Sequence, residues 1–187
     1  MARNTLSRSM HDLGLSAWFG GTLANAVSLN KASSNASTAP AAGAVADAGW
    51  DRWTPVNAAA IGIHVAGSLG QIAGNKGRLS GQQGVASMAL AKTTLTAAAL
   101  GVTAYSRVLG RKVSKHKDVP AHDATTPVPE TPEDVAKAQA QLRALQWAVP
   151  ATTAAILALN SYAGEQQRPS EVNKGMRGRV RSLARTA

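Results

Sequence analysis

Four long stretches of the chain are almost free of charge, and they limit its fold more than any other feature. Each has close to the ~20 residues that an α-helix needs to cross a bilayer. Their hydropathy is modest for membrane spans, so a helical bundle in water and one in lipid both remain open. The stretches contain one formally charged side chain, Lys92, and cover residues 13–30, 54–74, 84–106 and 144–163.

The positions of the aromatic side chains favour lipid. Six of the seven aromatic residues lie at or near the ends of the four stretches. Trp and Tyr gather at the two water boundaries of a bilayer because their rings are apolar but carry a polar tip. The sequence therefore predicts an all-α fold, a four-helix transmembrane bundle in one domain covering 1–187. The rings expected at its interfaces are Trp18, Trp50, Trp53, Tyr105, Trp147 and Tyr162.

The second stretch carries a small residue at every fourth position: Ala58, Gly62, Ala66, Gly70 and Gly74. Residues four apart lie on nearly the same face of a helix, and a row of small residues lets a second helix approach closely. We expect this row to pack against another helix of the bundle. A second copy of the chain, or a larger partner, would use the same kind of surface.

His64 lies near the centre of the second stretch, where an ionisable group is costly and is a candidate for function. A haem held by two histidines needs a second one in the membrane, and the other three histidines of the chain lie in flanking or loop regions. Besides a haem ligand or a proton relay, the alternative is a neutral histidine hydrogen-bonded to a neighbouring hydroxyl. The sequence assigns no cofactor and no metal.

Lys92 and Thr96 lie one helical turn apart in the third stretch and are expected to face the bundle interior. Two interpretations of Lys92 remain open. Its long stem can carry the ammonium to the nearer interface, or the ammonium can pair with Asp12, which lies at the same end of the bundle. His64, Lys92, Thr96 and Asp12 together form a candidate polar site within the membrane.

The connecting segments differ in character. Residues 31–49 are small, polar and of low complexity, which predicts a mobile loop with a short helix at its end. Thr131 and Pro132, followed by two acidic residues, predict a helix start with Thr131 as its N-cap. We expect that helix to continue into the fourth stretch, with Pro150 bending it inside the membrane.

The net charge of +10 predicts an anionic counter-surface. Much of the charge lies in a basic tail, residues 165–187, and its arginines resemble the polybasic segments that bind anionic lipid headgroups. Nucleic acid is not the expected partner, because the tail lacks interleaved aromatic residues and a recognisable module. The predicted headgroup-binding residues are Arg177, Arg179, Arg181 and Arg185.

The positive-inside rule hardly separates the two orientations. With four spans, ten Lys and Arg residues lie on the side of the termini and nine on the other. We expect both termini to be cytoplasmic, and the first stretch to be an uncleaved span rather than a signal peptide.

The sequence has no cysteine, which excludes a disulfide framework, a thiolate metal site and a thiol nucleophile. It also has no intramembrane carboxylate pair, no phosphate-binding loop of the Walker type and no nucleophile elbow. We therefore expect a protein that is not an enzyme.

Several phrases support a further comparison: "GLSAWFGGTLANAVSLN", "WDRWTPVNAAAIGIH", "LAKTTLTAAALGVTAYSRVLG" and "LQWAVPATTAAILALN" followed by "GEQQRP". In these phrases the chain resembles uncharacterised, alanine-rich, four-span membrane proteins of high-GC bacteria. The resemblance implies a location in the bacterial plasma membrane and no known activity.

Three functions are compatible with these features. The first is a structural or accessory subunit of a larger membrane complex, because weakly hydrophobic spans are held more easily in lipid when other helices cover them. The second is a binder or transporter of a small apolar molecule, such as a lipid or a quinone, near His64 and Lys92. The third is a soluble, basic helical protein that binds nucleic acid.

Overall fold

The computed structural model describes residues 4–115 and 119–186, and it is all-α, with 85% of the chain helical. The helices are α1 (Thr5–Ala24), α2 (Asn30–Ala32), α3 (Ala39–Gly74), α4 (Lys76–Gly81), α5 (Val85–Ser114), α6 (Glu133–Glu165) and α7 (Pro169–Thr186). A five-residue π-helical turn, Asn25–Leu29, joins α1 to α2, and a 3-10 turn, Ser33–Asn35, follows α2. Between α5 and α6 lies a small antiparallel hairpin of β1 (Ala121–Asp123) and β2 (Thr126–Pro127).

Glycines bring α1 and α3 into direct backbone contact. A Cβ atom added to Gly14 would lie 2.5 Å from both the carbonyl oxygen of Ala60 and the backbone nitrogen of His64. Gly67 of α3 packs in the same way on the backbone of His11 in α1. The two helices run antiparallel, and no side chain larger than hydrogen fits at Gly14 without moving one backbone away from the other.

The remaining long helices complete an alternating up-and-down arrangement. The side chains of Tyr105 and Gln141 are hydrogen-bonded between α5 and α6. Asn30, at the far end of the first helical segment, donates to Gln146 of α6 at 2.7 Å. The buried core at the centre consists of Leu15, Trp18, Ala60, Ala99, Val149 and Ile156.

Three of these helices, α3, α5 and α6, are long and apolar enough to cross a membrane, by length and composition. They contain the second, third and fourth charge-free stretches of the sequence. The first stretch, residues 13–30, lies on α1 and its continuation to α2, and α1 is not among the three.

Two local expectations were wrong. Residues 31–49 do not form a loop with a short terminal helix, because α3 already begins at Ala39; the Thr38 hydroxyl accepts from the Ala41 N–H at 3.3 Å and Pro40 lies in the first turn. Thr131 does not cap α6: its hydroxyl donates to the Pro120 carbonyl at 2.6 Å. The helix itself forms as predicted and runs through Pro150 without a break.

The predicted girdle of rings holds only in part. Trp147, Tyr105 and Tyr162 are about half exposed at the surface of the helices. Trp18 is completely buried, with its ring centroid 6.1 Å from that of His64. Trp18 is therefore a core residue, and its position near the start of a charge-free stretch did not indicate an interface.

The glycine contact between α1 and α3 can be tested with Gly14→Ala. We expect the substitution to lower the free energy of unfolding by about 1–3 kcal/mol, because the added methyl group meets backbone atoms that cannot rotate away. Gly20→Ala on the same helix is the matched control, since a Cβ there has nothing within 4 Å. Thermal unfolding in detergent micelles measures both. Equal unfolding temperatures for the two variants would contradict the contact.

Candidate functional site

The predicted polar residues Lys92 and Thr96 line a cavity of about 300 Å³ together with His11. The cavity lies between the C-terminal half of α3, α4 and the first turns of α5. Lys92 is half-buried, and within the described residues no carboxylate oxygen lies within 4 Å of its ammonium. The hypothesised ion pair between Lys92 and Asp12 is thus not formed in this structure.

Asp12 instead belongs to a polar cluster at the start of α1. Its carboxylate accepts from the ring Nδ1 of His11 at 2.8 Å and from the side-chain amide of Asn160 at 3.3 Å. His11 is buried, whereas the Asp12 side chain is largely exposed. The cluster joins α1 to α6 at the end of the bundle that also carries α4 and α7.

His64 is completely buried at the crossing of α1 and α3. Its Nδ1 lies 3.1 Å from the backbone carbonyl oxygen of His11, and since a carbonyl can only accept, Nδ1 carries the proton. The acceptor is therefore a backbone carbonyl and not the expected hydroxyl. Nε2 has no hydrogen-bond partner within the described chain.

The rings of His11 and His64 lie with their centroids 4.4 Å apart. The sequence did not indicate that these two histidines lie together, because His11 precedes the first charge-free stretch and His64 lies in the second. Nothing in the residue pattern of either helix predicts the contact. The two rings are in direct contact, which leaves no space between them for a haem. No group of three His, Cys, Asp or Glu side chains within the described ranges has the arrangement of a metal site.

The row of small residues on α3 is divided between faces. Gly70 and Gly74 face α1, where Ser7 and Asn4 would contact added Cβ atoms. Ala58 and Gly62 line a second, larger cavity, and Ala66 is exposed. Positions four apart turn by about 40° per step around a helix of 3.6 residues per turn, so a long row spirals off one face.

The larger cavity has a volume of about 870 Å³ and lies between α3, α5 and α6, with the hairpin residue Ala121 among its lining. Two side-chain contacts join α3 to α5 beside it. Arg107 donates to Asp51 at 3.3 Å, and the Ser114 hydroxyl donates to Asp47 at 2.8 Å. Sequence reasoning did not find this cavity, because its residues come from three helices and from a hairpin that the sequence pattern did not indicate.

Unpartnered polar atoms are concentrated around the larger cavity. Six of its lining residues have a buried polar atom with no hydrogen-bond partner within the described chain. Buried polar groups in folded proteins are nearly always paired, so such a concentration is unusual. The six atoms are Trp53 Nε1, Asn57 Oδ1, Thr103 Oγ1, Ser106 Oγ, Arg107 Nε and Gln139 Oε1.

The predicted headgroup-binding arginines lie on α7, which is a helix rather than an irregular tail. Its Gly175 carbonyl accepts from the backbone N–H of Gln83 at 3.2 Å, so α7 is attached to the turn that precedes α5. Apolar side chains of α7 that are more than half exposed recur on one face: Met176, Val180 and Leu183. Arg177, Arg181 and Arg185 recur on a second face, about 130° around the helix from the apolar one, and Arg179 lies at the edge of the apolar face.

No family model, no curated protein and no solved structure matches this chain. Its function is therefore inferred from its own residues.

The hairpin at the cavity is held by a buried carboxylate. Asp123 accepts from the backbone N–H of Thr125 at 2.8 Å and from the Lys31 ammonium at 3.4 Å. Burial alone would raise the pKa of Asp123, but the hydrogen bonds from Thr125 and Thr126 and the charge of Lys31 hold that pKa below its usual range. The ionised form is thus the one that the fold stabilises.

The Asp123 carboxylate is expected to stabilise the hairpin at neutral pH. Because its folded-state pKa is depressed, this contribution is present above the unfolded value of about 3.9 and is lost as the pH falls through the folded value. Asp123→Asn should speed amide exchange of residues 119–127 by about 10–100-fold at neutral pH, the equivalent of one charged hydrogen bond. Hydrogen exchange with mass spectrometry measures this.

Glu130→Gln, an exposed carboxylate in the same loop, is the control for that measurement. The difference between Asp123→Asn and the parent should shrink as the pH falls below about 3.9. If the difference in exchange rate between Asp123→Asn and the parent grows on acidification, the depressed pKa of Asp123 is contradicted.

Proposed function

We propose that the protein is an integral membrane protein that serves as a structural or accessory subunit of a larger membrane complex. Three long apolar helices, α3, α5 and α6, are compatible with a multi-pass protein. The observation that carries the proposal is the exposure of α5. Of an apolar segment of 18 residues within this helix, only 6% is buried inside the bundle. A helix of this kind needs lipid or another protein around it.

We infer that α1 accompanies the three spans as a fourth. It runs antiparallel to α3 in direct backbone contact, so it occupies the same depth as α3 in a membrane. Four alternating helices put the start of α1 and the attachment of α7 at one end, which supports termini on the same side. We propose that both termini are cytoplasmic because the arginine-rich α7 lies at that end; the count of basic residues, ten against nine, hardly separates the two orientations.

The outward face of α5 fits a neighbouring helix better than it fits lipid alone. The exposed residues along it are mostly small in the middle and larger at the ends. Small residues let helix backbones approach closely in a membrane, where no hydrophobic force drives association. The surface is formed by Leu90, Gly101 and Val108, with Ala97 and Ala104 at its edges, where they also line the two cavities.

The proposal is tested by purifying the tagged chain from its own membranes in mild detergent. We expect a stoichiometric membrane partner that Gly101→Leu releases, because the leucine fills the narrow centre of the α5 surface. Gly20→Leu is the matched control, because neither glycine has an atom within 4 Å of an added Cβ. Quantitative mass spectrometry of the eluates reads out the partner.

Both variants should stay in carbonate-washed membranes. Loss of the parent chain from those membranes would contradict the multi-pass assignment. If the chain is recovered in good yield without a stoichiometric partner, the subunit role is contradicted.

We further propose that α7 lies along the cytoplasmic membrane surface and binds anionic lipid headgroups. An amphipathic helix with a basic face and an exposed apolar face is typical of helices at that boundary. The two faces of α7 are separated by the glycine face that attaches it to the bundle, so both are available beside the membrane.

Replacing Arg177, Arg181 and Arg185 by Gln should detach α7 from an anionic surface. At about 1 kcal/mol for each arginine near such a surface, the triple variant loses roughly 100-fold in the equilibrium. Amide exchange across residues 169–186 of the full chain in lipid nanodiscs measures attachment, with and without anionic lipid. Lys137→Gln, at the other end of the bundle, is the control. Equal protection of the parent in neutral and anionic nanodiscs would contradict the proposal.

A further inference from the structure

The smaller cavity, of about 300 Å³, is open to the outside of the bundle between α3 and α5. Leu69 and Ile72 of α3 line it and are also exposed, Leu69 by 63% of its side. Met88 and Ala89 of α5 line it from the other helix. The cavity is smaller than a whole membrane lipid. Because it opens sideways, part of a lipid can enter it while the rest of the molecule stays outside.

Two cationic side chains line this cavity, Arg78 of α4 and Lys92 of α5. Arg78 donates through Nε to Gln82 at 2.9 Å, but its Nη1 has no hydrogen-bond partner within the described residues. The ammonium of Lys92 also has none there. Neither atom belongs to the fully enclosed polar atoms of the protein, so an occupant of the cavity can reach both.

No carboxylate compensates these two charges within the described part of the chain. No Asp or Glu lines the cavity there, and no carboxylate oxygen lies within 4 Å of Arg78 or Lys92. Asp12 is outside the lining and accepts from His11. Partial burial and the neighbouring charge of Arg8 both lower the pKa of Arg78, which lies outside the spans. Positive charge is therefore crowded at this cavity.

The residues outside the described ranges do not reverse this charge. The three residues before Asn4 are Met, Ala and Arg, which carry no carboxylate side chain. Residues 116–118 include one, Asp118, and the next residue, Val119, has its carbonyl against Gly43 near the start of α3. Gly43 lies about 40 Å along α3 from Ile72. That distance is several times the screening length of about 8 Å at physiological ionic strength.

The arrangement of charge and apolar surface indicates which kind of molecule fits. Lys92 lies about two turns into α5, and helical side chains tilt toward the N-terminus of their helix, which for α5 is the end next to α4. Its ammonium is thus directed toward the end that carries Arg78. Both groups only donate hydrogen bonds, so they require an anionic or accepting partner. Cations beside an open apolar groove match an anionic head with apolar chains.

We propose that this cavity binds one anionic phospholipid, with its phosphate at Arg78 and Lys92 and its acyl chains leaving past Leu69 and Ile72. Basic pockets between spans on the cytoplasmic side are known to hold such heads. The inference rests on the proposed membrane position, with α4 at the cytoplasmic end. It is separate from the proposed contact of α7 with the membrane surface, because no residue of α7 lines the cavity within the described chain.

The absence of cysteine from the sequence allows a test with a single introduced cysteine that carries a bimane fluorophore. Leu69→Cys places the fluorophore at the open side of the cavity. Leu13→Cys, 70% exposed in the parent and outside the lining, is the control position. The purified full chain in uncharged detergent micelles is titrated with phosphatidylglycerol or phosphatidylcholine, each with brominated acyl chains that quench the fluorophore.

We expect saturable quenching at position 69, with phosphatidylglycerol bound about 25-fold more tightly than phosphatidylcholine. This is roughly fivefold for each of the two cations. At position 13 the two lipids should quench equally. Glycerol phosphate, which carries the anionic head without the acyl chains, should not reverse the quenching at position 69 even in large excess.

Charge variants in the Leu69→Cys chain test which cations bind the head. Lys92→Gln and Arg78→Gln should each lower the preference for phosphatidylglycerol by about fivefold, and Lys92→Arg should retain it. Lys76→Gln is the matched control, because Lys76 lies on the same short helix as Arg78 but is exposed and outside the lining. It should leave the preference unchanged, as should the triple Gln variant of α7.

Several results would overturn the site. Equal quenching by the two lipids at position 69 would show that the charge is not recognised. The same preference at position 13, or a loss in Lys76→Gln as large as in Lys92→Gln, would show only general attraction to a basic end. Reversal by glycerol phosphate would show that a free phosphate compound occupies the cavity.

The site and the proposed function fail in different ways. Loss of the chain from carbonate-washed membranes contradicts the membrane position on which the site rests. A chain that stays in those membranes and shows no lipid preference at position 69 contradicts the site alone.

Discussion

The contact of α1 with α3 is the constraint from which the rest of the structure follows. Gly14 and Gly67 remove the side chains that would hold the two backbones apart, so each helix packs on main-chain atoms of the other. This closeness buries His64 beside Trp18 and brings its Nδ1 to the carbonyl of His11. A chain with seven aromatic residues cannot fill a wide gap between helices, and narrow contacts between small residues replace that bulk.

The same contact determines where the large cavity forms. Once α3 presents its glycines to α1, its other faces point toward α5 and α6, and there the chain has no comparable fit. Two polar side-chain contacts, Arg107 with Asp51 and Ser114 with Asp47, join α3 to α5 instead of close backbone packing. Side chains can connect helices at a greater separation than backbones can, so the cavity lies along this side of α3.

The sequence predicts the helices better than it predicts their faces. The charge-free stretches, the proline tolerated inside α6 and the basic tail are local properties, and they can be read from one segment at a time. Which side of a helix packs on which neighbour depends on two segments together. The row from Ala58 to Gly74 therefore divides between α1 and the cavity, and Trp18, near the start of its stretch, packs in the core. The contact of His11 with His64 and the cavity of three helices have no signal within any single segment.

The environment of the bundle and the polar atoms around its larger cavity make opposite demands. In water, the outward face of α5 exposes apolar residues such as Leu90 and Val108. In lipid that face is covered, and the unpartnered atoms around the larger cavity, Gln139 Oε1 among them, become the costly feature, because hydrocarbon offers them no hydrogen bonds. The proposed membrane position therefore removes the cost of the outward face of α5 and leaves the cost of the buried polar atoms.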